Sequence, residues 1–193
     1  TTVSDFDEAE HRQQRSVSLS LAPLVHDGVK VNLLDTPGYA DFEAEALVAL
    51  RIADLAVFVV SAVEGVEVQH ERLWAEAARL GVPRMVFVNK LDRERASFTR
   101  TLDQLRDTFG AGIAPLELPI GEEAGFRGVA DLLTDEAFIY DERGDATITG
   151  VPDDMEALEH EVHDKLVEGI VVGDDDLLER YLEGDVPSVE ELE

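Results

Sequence analysis

From Ser16 to Val25 the chain alternates, with Val17, Leu19 and Leu21 set against Ser16, Ser18 and Ser20. A period of two predicts a half-buried strand. Asp27-Gly28 follows as a hairpin-turn signal, and Val29 to Leu34 is the expected partner strand, ending at Asp35. The first 15 residues are polar and without strong periodicity, which predicts a loop. Beyond Asp35 the pattern changes repeatedly between helix and strand. A helix is expected from Phe42 to Ile52, with Asp41 as its N-cap. Leu55 to Ser61 is a continuous apolar run of the kind found in buried parallel strands. Val68 to Leu80 reads as a helix, with Gly81 at its C-terminal cap and Pro83 beyond. Arg84 to Val88 reads as a second buried strand and ends at Asn89. Arg95 to Phe109 is helical, with Phe98, Leu102, Leu105 and Phe109 on one face, and Ala114 to Ile120 is again strand-like.

Alternating strands and helices predict an α/β fold, a mostly parallel sheet flanked by helices. Ligands of such sheets bind beyond the carboxyl ends of the strands. Asp35 and Asn89 both fall at such ends, so one pocket is expected to hold both. After Gly121 the composition shifts. Val129 to Asp145 reads as short strands with a turn at Arg143-Gly144-Asp145. Asp153 to Ile170 reads as a long amphipathic helix with Met155, Leu158, Val162, Leu166 and Ile170 on its apolar stripe. Gly173 breaks it, and a short acidic helix is expected from Asp174 to Leu182. The expected division is therefore a core over residues 1–120 and a small α+β insertion subdomain over 121–193.

Charge sharpens that division. The net charge is −27, and residues 121–193 carry 24 acids against 4 bases, whereas residues 1–120 carry 19 against 12. Such a surface repels phosphate and anionic lipid, so direct DNA and membrane partners are not expected; a basic protein is the partner it suits, the alternative being a solvated, charge-rich face that only aids solubility. There is no cysteine, which excludes a disulfide framework and a thiolate zinc site. The strongest apolar run, Leu55 to Val63, is far shorter than the roughly 20 residues that cross a bilayer. A soluble, cytoplasmic protein is expected.

Two short motifs carry chemistry. In Asp35-Thr36-Pro37-Gly38 the carboxylate can hold Mg²⁺ through a bound water, and Gly38 lets backbone approach a terminal phosphate. The Ser18 hydroxyl is a second candidate Mg²⁺ ligand. In Asn89-Lys90-Leu91-Asp92 the carboxylate of Asp92 can accept two hydrogen bonds from the N–H groups of guanine, an arrangement adenine does not offer. The Lys90 stem can lie along the base plane, and Asn89 can tie the base edge to neighbouring loops. A phosphate-cradling G-x-x-x-x-G-K-[ST] loop is not in the chain: its three lysines, Lys30, Lys90 and Lys165, follow Val29, Asn89 and Asp164.

With these motifs, the chain resembles the G domain of elongation factor G, a P-loop-type translational GTPase, including that family's insertion. The resemblance also rests on Glu10 to Leu19, on Leu118-Pro119-Ile120-Gly121 with Phe126, Gly128-Val129 and Asp131-Leu132, on Lys165-Leu166-Val167-Glu168, and on Glu179-Arg180-Tyr181-Leu182-Glu183-Gly184. It implies GTP/GDP and Mg²⁺ as ligands and the ribosome as partner of a longer parent GTPase. A basic ribosomal or stalk protein is the implied partner of the acidic insertion. Ser18 takes the position of the first-switch threonine, Asp35 to Gly38 the second-switch motif, and Asn89 to Asp92 the guanine motif. In the family's order the phosphate loop falls before residue 1, and a guanine-site Ser-Ala loop after residue 193. Tyr39 stands where the family has the histidine that orients the attacking water. A phenol with a pKa near 10 is a poor substitute for imidazole. Ser18 and Tyr39 together resemble the divergent elongation factor G-like paralogues, for which slow or wholly ribosome-dependent hydrolysis is expected. Alternatives are a non-catalytic scaffold at the ribosome and a ribosomal-protection relative. The chain by itself is expected to bind GTP weakly or not at all.

Overall fold

Asp7 caps a short helix, α1 (Glu8–Gln13), where the sequence pattern predicts only loop. The Asp7 side chain accepts from Ala9 N–H, and Glu10 reaches back to the N-cap backbone in a capping box. This is why a segment without apolar periodicity is helical. The computed structural model describes residues 4–26, 28–141 and 143–192. Asp27, half of the expected Asp27-Gly28 turn, lies outside them. The strands either side are β1 (Ser20–His26) and β2 (Val29–Asp35), antiparallel with Ser20 opposite Asp35 and His26 opposite Val29. Strand β1 starts later than the alternation suggests, because the backbone N–H groups of Val17, Ser18 and Leu19 bond to glutamate side chains.

By contacts the described chain divides into two compact units, residues 1–59 with 67–87, and residues 60–66 with 88–193. The first contains the hairpin, a 3-10 turn at Ala40–Phe42, and α2 (Glu43–Leu50). Asp41 lies inside the 3-10 turn and is not the N-cap of α2. That position is held by Phe42 without a side-chain bond. The same unit holds α3 (Val68–Leu80) and most of β3 (Ala56–Ser61) and β4 (Arg84–Asn89), which pair directly. Gly81 ends α3 in the left-handed region at φ 72°, a conformation glycine adopts without steric cost. The core packs Leu50, Ala56, Phe58 and Ala77 with Leu73 and Trp74, the rings of Phe58 and Trp74 being 5.0 Å apart.

This core covers only one face of β3. Ala56, Phe58 and Val60 are buried, while Val57 and Val59 are 48% and 54% exposed. The apolar run is therefore not buried on both faces as expected. The strand–helix–strand order β3–α3–β4 is the crossover that parallel pairing needs, but the single mostly parallel sheet is not what the described residues form. Small sheets replace it, and the hairpin and a four-stranded sheet are antiparallel.

The second unit holds that four-stranded sheet, β5 (Glu117–Ile120), β6 (Gly128–Asp131), β7 (Glu136–Tyr140) and β8 (Ala146–Gly150), in sequential order. The compositional division at 120/121 falls between two of its paired strands. Gly121, at φ 80°, sits where a Cβ would lie 2.1 Å from the Gly125 carbonyl oxygen, so only glycine fits the turn between them. The unit also contains α4 (Phe98–Phe109), α5 (Glu156–Val171), α6 (Asp175–Leu182) and α7 (Val189–Leu192). On α5, Leu166 is buried and Val162 and Ile170 pack beside it with Met155 of the N-cap, whereas Leu158 of the expected stripe is 51% exposed. Arg180 holds the last segment through Asp185 (2.8 Å) and Glu191, whose carboxyl is pulled down to about 2 by Arg180 and then by Ser188. Among the described residues no helix is long and apolar enough to cross a membrane.

Candidate functional site

The β1–β2 ladder ends with Ser20 opposite Asp35, so Ser18 lies two residues before the strand position that faces Asp35. The ladder thus brings both expected Mg²⁺ ligands to one end of the hairpin. Ser18 is exposed and Asp35 half-buried. The segment around Ser18 is held by Glu10, whose side chain is buried. Its Oε1 accepts from Val17 N–H (3.0 Å) and Ser18 N–H (3.3 Å), and its Oε2 from Phe6 N–H (3.1 Å) and Asp7 N–H (2.9 Å). The amide bonds from Val17 and Asp7 hold the Glu10 carboxyl below its ordinary value. Glu45 of α2 takes the next amide, Leu19 N–H, at 3.0 Å.

After Asp35 the chain leaves the strand. Thr36 is half-buried, Pro37 buried, and Gly38 and Tyr39 exposed. The Gly38 carbonyl accepts from the side-chain amide Nε2 of Gln69, on α3, at 3.3 Å, and space beside its Cα is open. Tyr39 precedes the 3-10 turn, its carbonyl accepting from Phe42 N–H at 2.9 Å. Tyr39 is 54% exposed, and its ring lies under the guanidinium of Arg15, Cζ being 4.9 Å from the ring centre. That contact joins the Tyr39 loop to the segment carrying Ser18.

Asn89 to Asp92 belong to the other compact unit. Asn89 ends β4, and its carbonyl accepts from Ala62 N–H at 2.8 Å, while its Oδ1 accepts from Lys90 N–H at 2.8 Å. Lys90 is in the left-handed region at φ 63°, which is uncommon for a residue with a Cβ and costs energy unless its neighbours hold it. Leu91 is buried against Ala62 and Ala96, and its carbonyl accepts from Glu123 N–H at 2.8 Å. This anchoring leaves Asn89, Lys90 and Asp92 exposed. Lys90 Nζ is 3.4 Å from Glu64 Oε2, an oxygen that also accepts from the Ser61 hydroxyl. Val63, Glu64, Lys90, Arg93 and Glu94 line a cleft of about 420 Å³.

Motif reading does not reach the residues that support these loops. Glu45 lies 26 residues from Leu19, Glu64 26 from Lys90 and Arg100 38 from Ala62. Arg100 donates to the carbonyls of Ala62 (2.8 Å) and Arg95 (2.9 Å). Glu122 and Glu123 accept from Phe98 N–H and Arg95 N–H, fixing the stretch after Asp92. Only Glu10 has a local signal, the Asp7-x-x-Glu10 spacing of a capping box.

An elongation factor G-like protein of Mycobacterium tuberculosis, represented by strains CDC 1551 / Oshkosh and ATCC 25618 / H37Rv, is 46% identical over 187 residues. The match takes in 96% of this chain and 25% of the relative, so the chain spans about a quarter of the length of those proteins. A crystal structure of a protein from Thermus thermophilus superposes with a TM-score of 0.91 at 38% identity, over 100% of this chain and 29% of that one. The family model of the elongation factor Tu GTP binding domain matches residues 1–186. The chain therefore belongs to the elongation factor Tu GTP-binding domain family.

Proposed function

We propose that this chain is part of the G domain of an elongation factor G-like translational GTPase, whose longer parent binds GTP with Mg²⁺ and acts on the ribosome during elongation. The observation that carries this reading is the Asn89–Asp92 loop. Lys90 is held at positive φ, and Leu91 is buried. Together they turn the three polar residues of the motif outward. In this reading Asp92 accepts the two guanine N–H groups, Lys90 covers the base, and Asn89 holds the loop.

Ser18 and Asp35 supply hard oxygen donors of the kind Mg²⁺ takes, and their common end of the hairpin supports their pairing as ligands. Bound Mg²⁺ would neutralise phosphate charge. The chain's own contribution is to hold Ser18 through Glu10 and to keep the Asp35–Gly38 loop at the strand end. Tyr39 takes the place of a water-orienting group, and a phenol where the family has an imidazole supports slow hydrolysis that depends on the ribosome. The acidic 121–193 region suits a basic ribosomal or stalk protein, and the whole is expected in the cytoplasm. A non-catalytic scaffold at the ribosome is the second reading, and Tyr39 is the feature that favours it.

The test uses the full-length parent. Asp92→Asn exchanges a double acceptor for a group that can donate, so GTP affinity is expected to fall by roughly 100-fold or more and xanthosine triphosphate to bind in its place. Unchanged GTP affinity in that variant overturns the guanine assignment. Ribosome-stimulated multiple turnover eliminates the scaffold reading. In single-turnover assays on ribosomes, Tyr39→His is expected to speed hydrolysis, and no gain shows that Tyr39 is not the limitation.

A further inference from the structure

Helix α5 carries Glu159 and His163 four residues apart, a spacing that puts both on one helical face. The turn between β6 and β7 brings Asp135 to the same place. One ligand atom of each of the three residues lies within 4.8 Å of those of the other two. None belongs to the motifs discussed above, and the cluster lies wholly within one compact unit.

The cluster contains a buried polar atom that nothing else among the described residues satisfies. Glu159 is 3% exposed, and its Oε1 is buried without a hydrogen-bond partner among the described residues. Its other oxygen lies 3.5 Å from His160 Nδ1. Two carboxylates side by side, Glu159 and Asp135, are both acceptors when ionised, so either a cation or a proton on one of them relieves the pair. Burial, and next the charge of Asp135, push the Glu159 carboxyl above its ordinary value, while His160 and His163 oppose this.

The histidine is already oriented. His163 Nδ1 sits 2.5 Å from the Leu132 carbonyl oxygen. A carbonyl only accepts, so Nδ1 carries the proton and the lone pair of Nε2 is kept for another partner. A backbone carbonyl on one ring nitrogen is the outer-shell arrangement that fixes metal-binding imidazoles. Asp135 is exposed and has φ 55°, so the cluster is open to solvent on its side.

We propose that Asp135, Glu159 and His163 form a binding site for a divalent transition cation of the zinc class. Imidazole with two carboxylates suits Zn²⁺, Co²⁺ or Mn²⁺ better than an all-oxygen cation such as Ca²⁺. Three protein ligands leave at least one position for water. The bound ion ties the β6–β7 turn to α5 and neutralises the Glu159–Asp135 pair. The competing occupant is a proton shared by the two carboxyl groups.

The experiment is a titration of chelator-treated, nucleotide-free protein with Co²⁺ and Zn²⁺, followed by calorimetry and by the visible absorption of bound Co²⁺. The expected result is one saturable site with Co²⁺ displaced by Zn²⁺, and a melting temperature raised by Zn²⁺. Glu159→Gln and His163→Gln are each expected to weaken that site by roughly tenfold or more, since even outer-shell losses cost that much. Asp135→Asn serves as a variant at an exposed position whose backbone asparagine tolerates, and far-UV circular dichroism checks that each variant is folded. Because a chain of net charge −27 also gathers cations diffusely, uptake that is unchanged in folded Glu159→Gln and His163→Gln overturns the proposal. Absence of a saturable site in the unsubstituted protein overturns it too and leaves the shared proton.

Discussion

Glu10 and Glu159 are both buried, at 2% and 3% exposure, and they are opposites. The Glu10 carboxylate accepts four backbone N–H groups, from Phe6, Asp7, Val17 and Ser18. Those donors favour the charged form, and the carboxyl is held below its ordinary value. Glu159 has an oxygen with no donor among the described residues and a second carboxylate beside it, and its carboxyl is pushed up. Burial alone therefore says little about what an acidic side chain does. The donors around it decide. In the N-terminal segment a glutamate organises backbone that would otherwise be loop, whereas on α5 the same residue type keeps one oxygen without a partner among the described residues.

Removing the organiser is expected to have the largest effect. Glu10→Ala leaves four amides without their acceptor, and the loss of an acceptor costs more than the bond was worth because the donors stay desolvated. The melting temperature is expected to fall further than in any other variant considered below, and hydrogen exchange at Val17 and Ser18 to accelerate. Glu10→Gln, which keeps an acceptor oxygen, is expected to fall between. Equal stability of Glu10→Ala and the unsubstituted protein would show that the segment holds without this carboxylate.

The same operation on the other glutamate has the opposite sign. With no metal present, Glu159→Gln removes a buried charge and leaves an amide that can donate to Asp135. Stability at neutral pH is expected to rise by about 1 kcal/mol, measured by denaturant unfolding. The contrast is sharp, because the variant that is more stable without metal is the one that loses its response to Zn²⁺. A loss of stability instead would mean that the Glu159 carboxylate is satisfied as it stands.

Acid separates Glu10 from its own substitution. Its folded pKa lies below the ordinary 4.5, so the folded state holds the ionised form more firmly than the unfolded chain does. That stabilisation is present above the unfolded value and is lost as pH falls through the folded one. Stability of the unsubstituted protein is expected to drop below about pH 4.5 more steeply than that of Glu10→Gln, in parallel thermal melts. Identical slopes would remove Glu10 from the acid transition.

How much of this is legible in the sequence follows from where each signal lies. Helix α3 is readable to the residue because its apolar period and Gly81 are local. The helix over Glu8–Gln13 escapes a search for periodicity, since a capping box and not an apolar face defines it, although Asp7 and Glu10 stand at the right spacing. The run Leu55 to Ser61 suggests burial on both faces because apolar composition cannot say how many faces are covered. The structure covers the Ala56–Phe58–Val60 face. The Asp35–Gly38 and Asn89–Asp92 motifs are contiguous words and are visible as such. Glu64, Arg100, Glu122 and Glu123 are not, because the chain brings them to their partners over 24 to 38 residues. The Asp135–Glu159–His163 cluster is equally hidden, as one member lies in a turn and two on a helix.

The smallest expected effect asks whether Glu10 organises the segment alone. Arg15 lies in the same stretch and places its guanidinium 4.9 Å from the centre of the Tyr39 ring. At an exposed ring such a contact is worth about 0.5–1 kcal/mol. Arg15→Ala is therefore expected to reduce stability by no more than that, far less than the loss of Glu10. Tyr39→Phe keeps the ring face and is expected to leave stability unchanged, while Tyr39→Ala should match Arg15→Ala. In the double variant Arg15→Ala/Tyr39→Ala the two losses should not add, because each removes the same contact. Additive losses would mean that Arg15 and Tyr39 act through separate neighbours. The segment carrying Ser18 would then be tied down by Glu10 and Glu45, with no link of its own to the Asp35–Tyr39 loop.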